Sequence, residues 1–156
     1  MRKFNSPSSG VTGRYCTDLD VNGDVTTADG AVLEADNLHI TADNADLTTN
    51  VKDLSGNVTG SISVTDKGSI AVTGTLTAGE DVSIQAAENG NITVSGTIHA
   101  ANTFLRGAAK ILVTVKNTMG NLDVETSDRE DSSADIKLES CDRSQDLNIT
   151  TPGAVS

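Results

Sequence analysis

The segments Gly68–Ala78 and Gly90–Ala100 are near copies of one another, GSIAVTGTLTA and GNITVSGTIHA, set 22 positions apart. A fixed interval of this size marks a repeat architecture, in which one short unit cannot bury its apolar side alone and gains stability only when the next unit lies on it. The same frame is expected at Asp18–Ala28 (DLDVNGDVTTA), and half of it at Gly120–Thr126 (GNLDVET). Within a copy the apolar residues alternate, Ile70 and Val72, then Leu76 and Ala78, which is the period of a strand with one buried side. Gly74, Gly96 and Gly23 stand where that alternation turns a corner. The expected fold is all-β, a single-stranded parallel β-helix (β-solenoid) of coils of roughly 22 residues. Residues 17–151 hold about six such coils, a body roughly 29 Å long at about 4.8 Å per coil.

Composition decides between this fold and its rivals. Aromatics are 2% of the chain, namely Phe4, Tyr15 and Phe104, so a narrow bore of Val, Ile, Leu and Ala suits it better than the thick core of an antiparallel sandwich. Disorder is disfavoured despite a net charge of −11, because prolines occur only at Pro7 and Pro152 and long stretches are free to pair. The alternation loosens around Ala45–Thr49, residues 127–135 read as a solvated loop, and Ala101–Leu112 reads as strand and turn. A last pair of strands is expected near Ile136–Leu138 and Leu147–Ile149.

The stretch Gly68–Ala100, GSIAVTGTLTAGEDVSIQAAENGNITVSGTIHA, resembles the repeats of filamentous haemagglutinin-type adhesins and related bacterial large exoproteins. That resemblance implies a right-handed β-helix on a cell surface or outside the cell, with a role in adhesion or contact. Such proteins are far longer, so it also implies a segment of a larger molecule. Size and the lack of a signal-like apolar start are similar instead to the bactofilins, short cytoplasmic β-helices that polymerise into scaffolds. Neither resemblance carries binding residues onto this chain.

The charge balance, 22 acidic against 11 basic residues, disfavours nucleic acid, and no apolar run suits membrane insertion. Asp20-Val21-Asn22-Gly23-Asp24 is similar to the start of an EF-hand loop but lacks its spacing and its closing Glu, so a coil turn is expected and no metal or other cofactor. His39 and His99 fall at outward positions. The Asn-x-Thr triplets at Asn57, Asn91 and Asn148 are what an Asn- and Thr-rich chain contains by chance. Most carboxylates look like turn residues, no catalytic constellation emerges, and a non-enzymatic protein is expected. A glycan-binding or glycan-cleaving β-helix is the third class.

Residues 1–17 hold Arg2, Lys3 and Arg14 and no acid, which leaves 8 basic against 22 acidic residues for the remainder. They are expected as a basic arm or cap, before a body at 18–151 and a tail at 152–156. A solenoid's ends expose strand edges that invite another chain. The candidate assembly and capping residues are therefore Phe4 and Tyr15, which could fill a bore mouth, and Cys16 and Cys141, which could link neighbouring copies. The expected partner is a second copy stacked head to tail, with a surface glycan or protein receptor besides.

Overall fold

The computed structural model describes residues 2–4, 12–107, 110–113, 117–125, 136–138, 141–143 and 147–150. All regular structure there is strand. In chain order the strands are β1 (Arg2–Phe4), β2 (Thr12–Asp20), β3 (Val25–Thr27), β4 (Leu33–Ala42), β5 (Ala45–Val58), β6 (Ile62–Asp66), β7 (Ile70–Val72) and β8 (Thr75–Ala78). They continue as β9 (Asp81–Gln85), β10 (Asn91–Val94), β11 (Thr97–Arg106), β12 (Lys110–Val113), β13 (Asn117–Glu125), β14 (Ile136–Leu138), β15 (Cys141–Arg143) and β16 (Leu147–Thr150). Every pairing is parallel. The fold is a β-solenoid with three sheet faces, the longest strands running across a corner from one face to the next.

The first face stacks β1, β3, β5, β6, β9, β11, β13 and β16. The second stacks β2, β4, β5, β7, β10, β12 and β14. The third stacks β2, β4, β5, β8, β11, β13 and β15. One column of the first face runs Val25, Ala45, Ile62, Val82, Thr103, Leu122, Leu147, which is five turns to Leu122 and a sixth to Leu147. Those steps are 20, 17, 20, 21, 19 and 25 residues, so a coil takes about 20 residues and varies. The 22-residue spacing holds between Ile70 and Ile92 and between Leu76 and Ile98.

The bore is built from the alternation. Ile70, Ile92 and Ile111 stack in one buried column, and Val72, Val94 and Val113 in another. Such burial is worth about 1.5–3 kcal/mol per side chain, and each coil obtains it only from its neighbours. Between the third and first faces, successive corners are tied together by backbone bonds. Asp43 N donates to Gly23 O (2.8 Å), Gly60 N to Asp43 O (2.8 Å), Glu80 N to Gly60 O (3.1 Å) and Ala101 N to Glu80 O (2.8 Å). A side-chain ladder runs beside them, with Asn44 Nδ2 donating to Asp24 Oδ1 (2.8 Å) and Asn102 Nδ2 to Asp81 Oδ1 (2.5 Å).

Three expectations change. The stretch Ala45–Thr49, where the pattern loosens on paper, is the regular first half of β5, with Ala45, Leu47 and Thr49 buried. What is lost there is a corner, because β5 passes from the first face to the second without a loop, and that coil is the shortest. The segments Asp18–Ala28 and Gly120–Thr126 carry the repeat's alternation but lie out of phase with it. Leu19 stacks on Ile40 in the column of Leu76, and Leu122 stacks on Thr103 in the column of Val82, so neither joins the column of Ile70. Residues 2–4 and 12–17 lie in strands of the stack itself, β1 on β3 and β2 on β4, so the boundary drawn at residue 17 falls inside β2. The expected loop at 127–135 and tail at 152–156 lie outside the described residues. The last strands at Ile136 and Leu147 form, and Ala101–Leu112 holds the end of β11 and most of β12, with residues 108–109 between them outside the described residues.

Two devices fit the short coil into the stack. Gly56 occupies a buried position in β5 with φ +148°, and a Cβ there would fall 2.2 Å from the Ile40 carbonyl oxygen. The neighbouring backbone lies too close there for any side chain. On the next coil the chain leaves the sheet at Lys67–Ser69, so no strand continues opposite Val51. Asp66, only 2% exposed, supplies the acceptor: its Oδ2 takes Val51 N (2.9 Å) and Thr49 Oγ1 (2.7 Å), while Oδ1 takes Gly68 N (2.8 Å). A carboxylate inside an apolar bore is tolerated because three donors meet it.

Candidate functional site

Among the described residues, three places draw attention: a recess on the first face, an aromatic ring with a cation beside it further along that face, and the two ends of the stack. The recess, about 280 Å³ and open to solvent, is lined by Asp24, Thr26, Asn44, Asp46, Ser61 and Ser63, with Val25 and Ala45 at its floor. Outward positions of β3, β5 and β6 and the corner ladder put these short polar groups side by side. Asp24 is already held by Asn44, and Asn44 Oδ1 accepts from Ser61 N (2.9 Å). Among the described residues, no three of His, Cys, Asp and Glu come together to hold a metal ion.

Two coils beyond the recess, in the same outward column as Ser63 and Ser83, stands Phe104. It is half-buried, and the Arg106 guanidinium lies 5.1 Å from its ring centroid. Arg106 donates to Asp123 Oδ2 at 2.8 Å on the following coil. An aromatic ring beside a cation, a carboxylate and the exposed Gln85 is the arrangement that stacks a ring and hydrogen-bonds its rim. Among the three aromatics, Phe104 is the one not singled out from sequence. Its signal was parity, since buried Thr103 and Leu105 on either side force it outward.

The histidines are outward as expected. His39 Nδ1 is 3.0 Å from Ser55 Oγ, and both His39 and His99 are exposed on the third face. Asp20–Asp24 forms a corner between β2 and β3, with the bend at Asn22–Gly23. Asn57 and Asn91 are exposed positions within β5 and β10.

The assembly candidates occupy the ends. Phe4, in β1, is in register with Thr27. Pairing of β2 with β4 slips between Gly13 and Cys16, the stretch that holds Tyr15, and Cys16 is in register with Asn37. Cys141, in β15, is in register with Asn117. The two cysteine positions are thus not brought together. Six strand steps separate β2 from β15, about 29 Å, whereas a disulfide needs Cα atoms within about 7 Å. Cys16 and Cys141 of one chain are out of reach of each other.

Among the described residues, five strands, β1, β2, β14, β15 and β16, pair on one side only. Within those residues, each end of the stack therefore presents a ring of strand edges without a pairing strand. Comparison with protein-family models, curated proteins and solved structures finds no match to this chain.

Proposed function

We propose that this chain is a non-enzymatic structural β-solenoid that associates with itself head to tail, as a subunit or segment of an extracellular fibre or adhesin. The observation that carries the reading is the set of five end strands whose outer edges are unpaired among the described residues, edges of the kind that another copy of the same fold can pair with. A contact between unlike ends does not close, so repetition makes a filament. The extracellular setting follows the resemblance of Gly68–Ala100 to exoprotein repeats. An intracellular bactofilin-like scaffold is the same assembly in another compartment, and free thiols at Cys16 and Cys141 in the native protein would favour it. Negative-stain electron microscopy across protein concentration tests the reading. Filaments that lengthen with concentration support it, and monodisperse particles of single-chain size at every concentration refute it.

A second reading, glycan binding on the first face, rests on Phe104 beside Arg106 and Asp123. Ligand-observed NMR with a panel of oligosaccharides tests it, with Phe104→Ala as the control that should abolish saturation transfer.

A further inference from the structure

The described strands number eight on the first face and seven on each of the other two. Two such stacks cannot be joined end to end without a fault unless one strand of the first face leaves. If the next copy's β1 lies on β16, its β2 arrives one rung too far away, and the second and third faces each lack a strand at the joint. If instead its β2 lies directly on β14 and β15, then β1 and β16 claim the same place.

Register indicates which strand yields. On the first face, Val25, Ala45, Ile62, Val82, Thr103 and Leu122 form a buried column, and Leu147 of β16 continues it with an apolar residue, as Ile149 does above Val124. At the other end the same column reaches Arg2 of β1, in register with Val25. An arginine is the worst match for a position the column otherwise fills with Val, Ala, Ile, Leu and one Thr. β1 makes three register pairs and β16 makes four.

We infer that copies of this chain join by strand exchange, β16 of one copy pairing with β3 of the next in the place that β1 occupies within a single copy. This rests on the self-association proposed above and adds its geometry. All three faces then continue unbroken: β16 lies against the next copy's β3, and β14 and β15 lie against its β2. β1 is then a removable cover of the first face's edge that opposes assembly. In such a joint the column of Cys141 runs on to the next copy's Leu19, three positions from its Cys16, about 10 Å along the strand. That exceeds disulfide reach, so reductant leaves the polymers intact.

The test compares the full chain, a chain lacking residues 1–9, and a locked chain. The lock is Phe4→Cys with Thr27→Cys in a Cys16→Ser, Cys141→Ser background, which ties β1 to β3 at register partners. Light scattering and electron microscopy follow assembly of each. The truncated chain should assemble at least about tenfold faster than the full chain, since three ladder pairs no longer compete. The locked chain should stay monomeric when oxidised and assemble when reduced. Filaments of the full chain that form no more slowly than those of the truncated chain, or that form equally from the oxidised locked chain, overturn the exchange while leaving self-association standing. If none of the three assembles, both readings fall.

Discussion

Replacing Asp66 with Ala removes the acceptor for three donors at once, and its cost can be worked from their surroundings. Thr49 Oγ1 and Val51 N are buried, and a buried donor left without an acceptor costs about 1–3 kcal/mol. Gly68 N sits at a partly exposed corner where water can replace the carboxylate. The total is therefore about 2–6 kcal/mol, against a stability of about 5–15 kcal/mol for a domain of ordinary size. At about 2–4 °C per kcal/mol for a chain of this length, a central loss of about 4 kcal/mol lowers the melting temperature by roughly 8–16 °C. Urea unfolding followed by far-ultraviolet circular dichroism is the suitable assay, because the chain has no tryptophan to report by fluorescence. The midpoint should fall while the slope m stays unchanged. Thr49→Val provides a double-mutant cycle, and it should cost clearly less with Asp66→Ala than in the native chain, since the hydroxyl then has no carboxylate to lose. An Asp66→Ala loss under about 1 kcal/mol, or equal Thr49→Val costs in both backgrounds, would refute the account of the buried carboxylate as a substitute strand.

Thr103 is fully buried and its hydroxyl has no partner, so Thr103→Val should stabilise the chain by about 1 kcal/mol, read as a higher urea midpoint. Gly56→Ala should destabilise by about 2–4 kcal/mol through strain and the clash with Ile40, whereas Gly30→Ala, at φ +76° with open space around it, should cost only about 1–2 kcal/mol; similar losses at the two sites would argue against the close approach. Lys52→Ala removes an ion pair of 2.6 Å to Asp36, but the lysine side chain is 80% exposed, so thermal unfolding should shift by no more than about 1 kcal/mol and the difference should vanish in high salt.

Much of the fold was legible because alternation marks the inside of a strand wherever it occurs. Ile70, Val72, Leu76 and Ala78 point inward as their parity requires, and the copy at Ile92 stacks on them at the expected interval. Alternation does not say which of three faces a strand belongs to. For that reason Leu19 and Leu122 looked like further copies of Ile70 while belonging to other columns. The shortened coil misled for a related reason, since a strand that passes a corner without a loop leaves no Gly or Asp to mark it. Asp66 was not singled out among carboxylates that mostly look like turn residues, yet Ile62-x-Val64-x-Asp66 already placed it on the inward phase. The edges that carry the functional reading were foreseen in kind. Their count on each face depends on where coils begin and end, which composition and periodicity leave open.

The varying coil length is absorbed unevenly around the ring. Among the described residues, the connection between the first and second faces is five residues at 28–32, none in β5, three at 67–69 and five at 86–90, while the corners between the other faces take four residues or fewer. One edge of the solenoid therefore takes insertions that its bore does not register. Epitopes or ligands grafted at 28–32 and at 86–90 would stand three rungs apart, roughly 14 Å, on a spacing that the strands between them fix as a ruler fixes its marks.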